Sequence, residues 1–497
     1  MGFAETVRAI DSFLWGDVFV VWTLVIGFYL TFGSKFFSFR YFGFIFKNTL
    51  FKKQSKTAQK GSLTPFEAMC VALGGCVGTG NISGVAAAIA VGGPGAVFWL
   101  WMYAILGMTI KVVEVTLGCY YRSRTPDGEF FGGPTYYIEK GLGQERGFKG
   151  AVIMAYVFGI CLCMQWIAGG SLYAAAESAE TCFNMPPLLY IAIYAVFLIL
   201  VTGRGVTSVG KFASKAVPVM TVMYLAGGII MVVVNITQVP GVLALIFKSA
   251  FTGTAAVGGF AGATVRLAIQ KGLARAVNSN EAGQGSSPMI HATADTRHPV
   301  EQGLWGAIEV FMDTIVVCSI TSIAILVTGA WSSGETSATL TITAFESVFG
   351  TAGVLFMGIM VTIFAFTTNS GWFSYFNTCL NYFLRNHEAA RLKASAIFKK
   401  IYSVPVVLFA ALLFYTDAGA NVFWDIIDAV IALPTYINLA ALLFLSGTFF
   451  RLLKDYKARY MGVGQVDFNF KYFYDTEPNA EAKAHDAALQ KAQANNR

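Results

Sequence analysis

Long apolar runs separated by short polar connections repeat along most of the chain, and this alternation is its dominant pattern. A run of roughly 18 or more mostly apolar residues is what a helix needs to cross about 30 Å of hydrocarbon. About eleven candidates meet that length, centred near Val20, Val85, Leu106, Gly159, Val196, Met223, Val265, Val317, Phe364, Phe409 and Leu439. The pattern predicts an all-α, polytopic membrane protein. Composition agrees: 56% of the residues are hydrophobic and 13% charged, more apolar side chain than a soluble core hides.

The connections carry an alternating signal. "GSKFFSFRYFGFIFKNTLFKKQSKTAQKGS", "YYRSRTPDGEFFGGPTYYIEKGLGQERGFKG", "TGRGVTSVGKFASK", "QKGLARAVNSNEAGQGSSPMIHATADTRHP" and "LRNHEAARLKASAIFKK" are basic, whereas "NITQVPG", "WSSGETSATLT" and "YTDAGAN" are almost free of Lys and Arg. Basic loops stay cytoplasmic. The expected topology is therefore an outside N-terminus and a cytoplasmic C-terminus in the plasma (inner) membrane. The net charge of +7 belongs to this asymmetry and not to nucleic-acid binding. No small-residue cleavage site follows the first run, which is expected to stay as a permanent helix. Eight cysteines, Cys70, Cys76, Cys119, Cys161, Cys163, Cys182, Cys318 and Cys379, lie scattered through the chain without metal-ligand spacing, so they read as small packing residues.

The expected division is an extra N-terminal helix in 1–40, a basic loop in 41–63, five helices in 64–238, five more in 239–450, and a polar tail in 451–497. Five is odd, so the second set enters the membrane from the opposite side, as an inverted pair. The leading helix of the first set contains "GTGNISG" (Gly78 to Gly84); that of the second contains "GGFAGAT" (Gly258 to Thr264). Matched glycine interruptions in inverted halves point to a transporter site at the bilayer midplane.

Unwound backbone survives in hydrocarbon only where protein, ion or substrate satisfies it. One half of a broken helix presents N–H groups to a carboxylate, and the other presents carbonyls to a cation. Thr79, Asn81 and Ser83 add neutral oxygens suited to dehydrated Na⁺. Close packing through Gly80 and Gly84 is the competing reading; the embedded "GTGN" and a second interruption favour a site.

Together with "VGTGNISGVAAAIA" and "ARAVNSNEAGQGSSP", the run "GGPGAVFWLWMYAILG" (Gly92 to Gly107) resembles the alanine or glycine:cation symporter family, from about Thr64 to about Leu445. The resemblance implies sodium-coupled uptake of alanine or glycine on a LeuT-type 5+5 inverted repeat plus one extra N-terminal helix. It implies that carbonyls of Gly74 and Val77, with Asn81, Thr367 and Thr368, hold sodium. Thr79, Gly80, Asn81, Gln165, Thr368 and Trp372 then border the substrate, with Gly262, Ala263 and Thr264 supplied by the second broken helix. The sequence departs from the family at "ARAVNSNEAG", with Val277 and Asn278 where the pattern reads more like Gly-Val-Phe. That departure is expected to affect packing below the site.

Weighed by themselves, Gln165 suits a helix-to-helix hydrogen bond as well as a pocket, Thr367 and Thr368 could bond back to their own helix, and Trp372 could be core filler. Lys111, Glu114, Glu309 and Asp313 are expected toward cytoplasmic helix ends, where snorkelling or an ion pair suffices. Asp425 and Asp428 are expected near the outer end of the last helix, and Glu281 as a cytoplasmic cap or gate partner. The four histidines, His291, His298, His387 and His485, fall in expected loops or the tail, with no nucleophile–base pair for an intramembrane enzyme. No GxxxxGK[ST] loop implies ATP. The expected function is sodium-coupled symport of alanine, glycine or both by alternating access, with no cofactor beyond the coupling ion; the alternatives are an ion channel or a proton-coupled small-solute transporter. Oligomeric state stays open.

Overall fold

The computed structural model describes residues 3–52, 62–126, 128–167, 171–255, 257–415 and 419–495. Part of the basic loop in 41–63 and part of "YTDAGAN" lie outside them. Among the described residues, seven helices are long and apolar enough to cross a membrane, and one bent pair adds an eighth. Shorter apolar helices occupy Ala151–Trp166, Pro187–Thr202 and Val239–Thr252. These segments cover every expected centre except Val265, which is only the first residue of the helix Val265–Asn280.

The first broken helix starts where its sequence dictates. Thr64 accepts from the Glu67 N–H at 3.2 Å while Glu67 accepts from the Thr64 N–H at 2.9 Å, a reciprocal cap with Pro65 in the first turn. Pro65–Cys76 ends at Val77, whose ψ of 92° leaves the helical region. The helix resumes through a wide π turn, Gly80–Gly84, into Val85–Gly92. The two arms are bent by 44°.

The second break lies elsewhere than "GGFAGAT" suggests. Gly258 to Thr264 form a loop, held by a two-way backbone pairing of Thr254 with Ala263 at 2.8 Å each way. Thr264 caps the helix behind it by accepting from Leu267 N–H at 3.2 Å. The unwinding comes some twenty residues later: Val265–Asn280 ends at Glu281 (φ +55°), Gly283 and Gly285 follow at φ +86° and +85°, and Ser287–His291 resumes. Glycine accepts positive φ without penalty. The basic loop expected around "SNEAG" is thus helix, break and helix. Arg266, Lys271 and Arg275 had concealed it as a membrane-depth segment.

Between the breaks runs the buried helix Gly95–Tyr120, packed on Val265–Asn280 and Pro299–Val310. The first crossing is tight: a Cβ on Gly272 would stand 2.5 Å from the Ala96 carbonyl oxygen, so only glycine fits. The last membrane-length helix, Gly419–Met461, continues to a C-terminal segment ending in the helix Ala480–Asn495. This segment docks back through Arg459–Asp486 at 2.8 Å and Arg297–Glu481 at 3.2 Å. Beside it, burial holds the His298 imidazole below its usual pKa, and its Nδ1 accepts from the Val300 N–H at 3.1 Å.

Candidate substrate and ion site

The two breaks face one cavity. Gly78, Thr79 and Gly80 contribute from the first, and Asn278 and Glu281 from the second. Gln165 joins from Ala151–Ile167, and Thr368 and Trp372 from Thr351–Phe383. Apolar residues Phe376, Ile427 and Ile431 close the wall. Of the residues named from the sequence, Thr79, Gly80, Gln165, Thr368 and Trp372 therefore converge. Gly262, Ala263 and Thr264 do not: they sit in the loop before the second broken helix.

Gly74, Thr367 and Thr368 meet beside the cavity. The Thr368 hydroxyl donates to the Gly74 carbonyl at 3.2 Å. A Cβ on Gly74 would stand 3.4 Å from Thr367 Cβ. Thr367 also bonds back to the Ile363 carbonyl at 3.1 Å, the local use that a helical threonine offers. Val77 is the residue at which the helix stops.

Asn81 has a different destination. It is wholly buried, accepts from the Gly78 N–H at 2.8 Å, and donates to Asp313 Oδ1 at 2.6 Å and Ser279 Oγ at 2.9 Å. Ser279 in turn donates to Asp313 Oδ2 at 2.7 Å. Its side chain is thus committed to stitching the two breaks together and is not on the cavity wall.

Of the two uses expected for the membrane charges, snorkelling and an ion pair, the structure shows the ion pair for Lys111, Glu114 and Glu309 and snorkelling for none. Lys111, Glu114, Glu309 and Asp313 are fully buried. Lys111 Nζ lies 3.3 Å from Glu309, 3.4 Å from Glu114 and 2.9 Å from Ser287 Oγ. Glu309 also accepts from Ser287 at 2.6 Å and meets His291 Nε2 at 2.9 Å. His291 is therefore a buried helix residue and not part of a loop. Glu114 accepts the Gly283 N–H at 3.2 Å, so the acids satisfy groups that unwinding leaves open. Glu281, expected as a cytoplasmic cap or gate partner, does cap the C-terminus of Val265–Asn280, but buried on the cavity wall, where its carboxylate accepts from Ser286. Asn278 is likewise on the wall and not below it. The Asn, two glycines and Ser-Ser-Pro of "NEAGQGSSP" were the overlooked signal for this break.

On the other side of the cavity, Arg275 pairs with Asp428 at 3.1 Å, and Lys271 pairs with Asp11 at 2.9 Å and Asp425 at 3.6 Å. These groups line a second, polar depression with Val91 and Leu267.

Paired helix breaks around a buried cavity, inside a bundle of membrane-length helices, define an integral membrane transporter of the LeuT type. The solved structure of MhsT in complex with L-phenylalanine superposes with a TM-score of 0.52 over 80% of this chain and 99% of that one, at 16% identity. Residues 1–468 match the profile of the sodium:alanine symporter family, and the chain belongs to that family. Among its relatives, the sodium/alanine symporter AgcS of Methanococcus maripaludis is 34% identical over 90% of this chain and 96% of that protein. The probable sodium/glutamine symporter GlnT of Bacillus subtilis is 35% identical over 90% and 89%.

Proposed function

We propose that the protein imports a small neutral amino acid, alanine and glycine being the simplest, by sodium-coupled alternating access. The carrying observation is the convergence of Thr79 and Gly80, at the start of a resumed helix, with the Gly74 carbonyl and Thr368 hydroxyl beside the same cavity. The opening turn of a helix has N–H groups without intrahelical acceptors, which suit a substrate carboxylate. Gly74, Val77, Thr367 and Thr368 supply neutral oxygens for Na⁺. AgcS and GlnT, by their names, support sodium coupling and an amino-acid substrate. Binding of ion and substrate is mutually reinforcing. The basic connections favour an outside N-terminus and a cytoplasmic C-terminus; on that topology the Arg275–Asp428 pair stands on the outer side of the cavity and the Lys111 cluster on the inner side.

Reconstituted protein is expected to accumulate radiolabelled alanine or glycine under an inward sodium gradient, with saturation. Thr368→Val, which keeps shape and removes the hydroxyl, is expected to raise the sodium concentration for half-maximal uptake about tenfold, the loss of one hydrogen-bonding group to a charged ligand. Unsaturable ion flux would support a channel instead. Uptake driven by a pH gradient without sodium would support proton coupling through the buried acids, of which Glu281 is on the cavity wall. Unchanged sodium dependence in Thr368→Val would remove this ion site.

A further inference from the structure

The cavity wall holds hydrogen-bonding groups that the fold leaves unused. Asn278 lies in the last turn of Val265–Asn280, with its Oδ1 only 3.1 Å from where a Cβ on Gly80 would be. Its Nδ2 is buried and has no hydrogen-bond partner among the described residues. Gln165, 8% exposed, accepts from Gln284 Nε2 at 2.8 Å. That bond occupies its oxygen and leaves its own Nε2 buried and, among the described residues, without a partner; the same holds for Gln284 Oε1. Asn278 and Gln165 border the same cavity.

Interiors leave few polar groups unsatisfied, because each forfeits its bonds to water. Two unused amide donors on one wall therefore mark where a ligand brings acceptors. The substrate carboxylate is already served by the Thr79–Gly80 turn. The oxygen and nitrogen of a carboxamide diverge from Cγ, so an Asn278 oxygen set against Gly80 turns the nitrogen away from that turn.

We propose that Asn278, with Gln165, reads the side chain of the transported amino acid and selects an uncharged hydrogen-bonding one, the carboxamide class typified by glutamine and asparagine. A carboxamide oxygen accepts from the two donors. An acidic side chain would offer acceptors as well, but the Glu281 carboxylate on the same wall repels it. An aliphatic side chain leaves both donors unpaired, the situation in which a polar site discriminates most strongly. This inference rests on the cavity being an amino-acid site and narrows its substrate class.

The test is sodium-driven uptake by the full chain in liposomes, comparing kcat/KM for glutamine, asparagine, alanine and glutamate. Glutamine or asparagine is expected to exceed alanine and glutamate at least tenfold, and Asn278→Val to reduce the glutamine-to-alanine ratio at least tenfold, with Asn278→Ser retaining part of it. Quenching of the cavity tryptophans Trp166 and Trp372 by added glutamine in detergent gives a second readout that does not need transport. A wild type that carries alanine and glycine while glutamine neither enters nor competes overturns the side-chain assignment alone. So does an Asn278→Val protein in which uptake of all substrates falls equally, as a general carboxylate contact would require. Absence of sodium-driven uptake of any amino acid overturns the transport reading itself.

Discussion

At the scale of single residues, the contact between Gly78 and Thr368 is the most exposed to test. A Cβ on Gly78 would fall 2.0 Å from the Thr368 hydroxyl and 3.2 Å from its Cβ, far inside contact distance. Gly78→Ala is therefore expected to displace Thr368 and raise the sodium requirement at least as much as Thr368→Val. Because both act on one group, the double variant should be no worse than the poorer single one; additive losses measured by sodium titration of uptake would separate the two positions. This part of the site was readable in "GTGN", because glycine, threonine and asparagine crowded into an apolar run conflict with lipid unless a ligand resolves the conflict. The destination of Asn81 was not readable. Its main partner, Asp313, is 232 residues away, and no local pattern reports a bond made across the fold.

At the scale of elements, the informative case is the second broken helix. Its glycine-rich forerunner at Gly258 to Thr264 has the composition of a break without its backbone chemistry; Thr264 is a helix cap, and a cap announces a start. The real break follows a helix too charged to register as apolar, and its charges are matched by Asp11, Asp17, Asp425 and Asp428 from distant elements. The helix Gly95–Tyr120 holds this break through Lys111. Removing a partner from a buried ion cluster costs about 3–5 kcal/mol, because the remaining charges lose their compensation. Lys111→Met is expected to lower the yield of folded protein and its thermal midpoint in detergent. Adding Glu309→Gln removes one stranded charge and should recover part of the midpoint. A Lys111→Met protein as heat-resistant as the wild type would show that the cluster does not hold the break in place.

At the scale of the whole molecule, the polytopic helical architecture was legible because the length of a membrane crossing is a global property, insensitive to where one helix unwinds, and its LeuT type was implied by the family resemblance. The alternating access proposed above requires that the cavity open to one side at a time, and on the proposed topology the Arg275–Asp428 pair stands where the outer side would close. Arg275 emerges one turn before Asn278, its side chain lies across Gly84, where a Cβ would stand 2.9 Å from Arg275 Cδ, and it ends on Asp428 of the last helix at 3.1 Å. It thus crosses from the second broken helix over the first to a third element. Ile427, the neighbour of Asp428, is on the cavity wall, while Asp428 itself faces the second, polar depression. Arg275 and Asp428 accordingly form the partition between the two spaces. Asp428→Asn keeps the shape and weakens the pair, so the partition should open more often. Cys76 reports on it from inside, being a buried thiol on the cavity wall. In a background where the other cysteines are replaced, Asp428→Asn is expected to speed labelling of Cys76 by an impermeant thiol reagent about tenfold, the effect of about 1.4 kcal/mol on a two-state opening, and to reduce net uptake because the cavity commits to the outward side. Labelling that proceeds at the wild-type rate would place the outer barrier elsewhere, since a partition that has lost its ion pair cannot protect the thiol behind it as well as before.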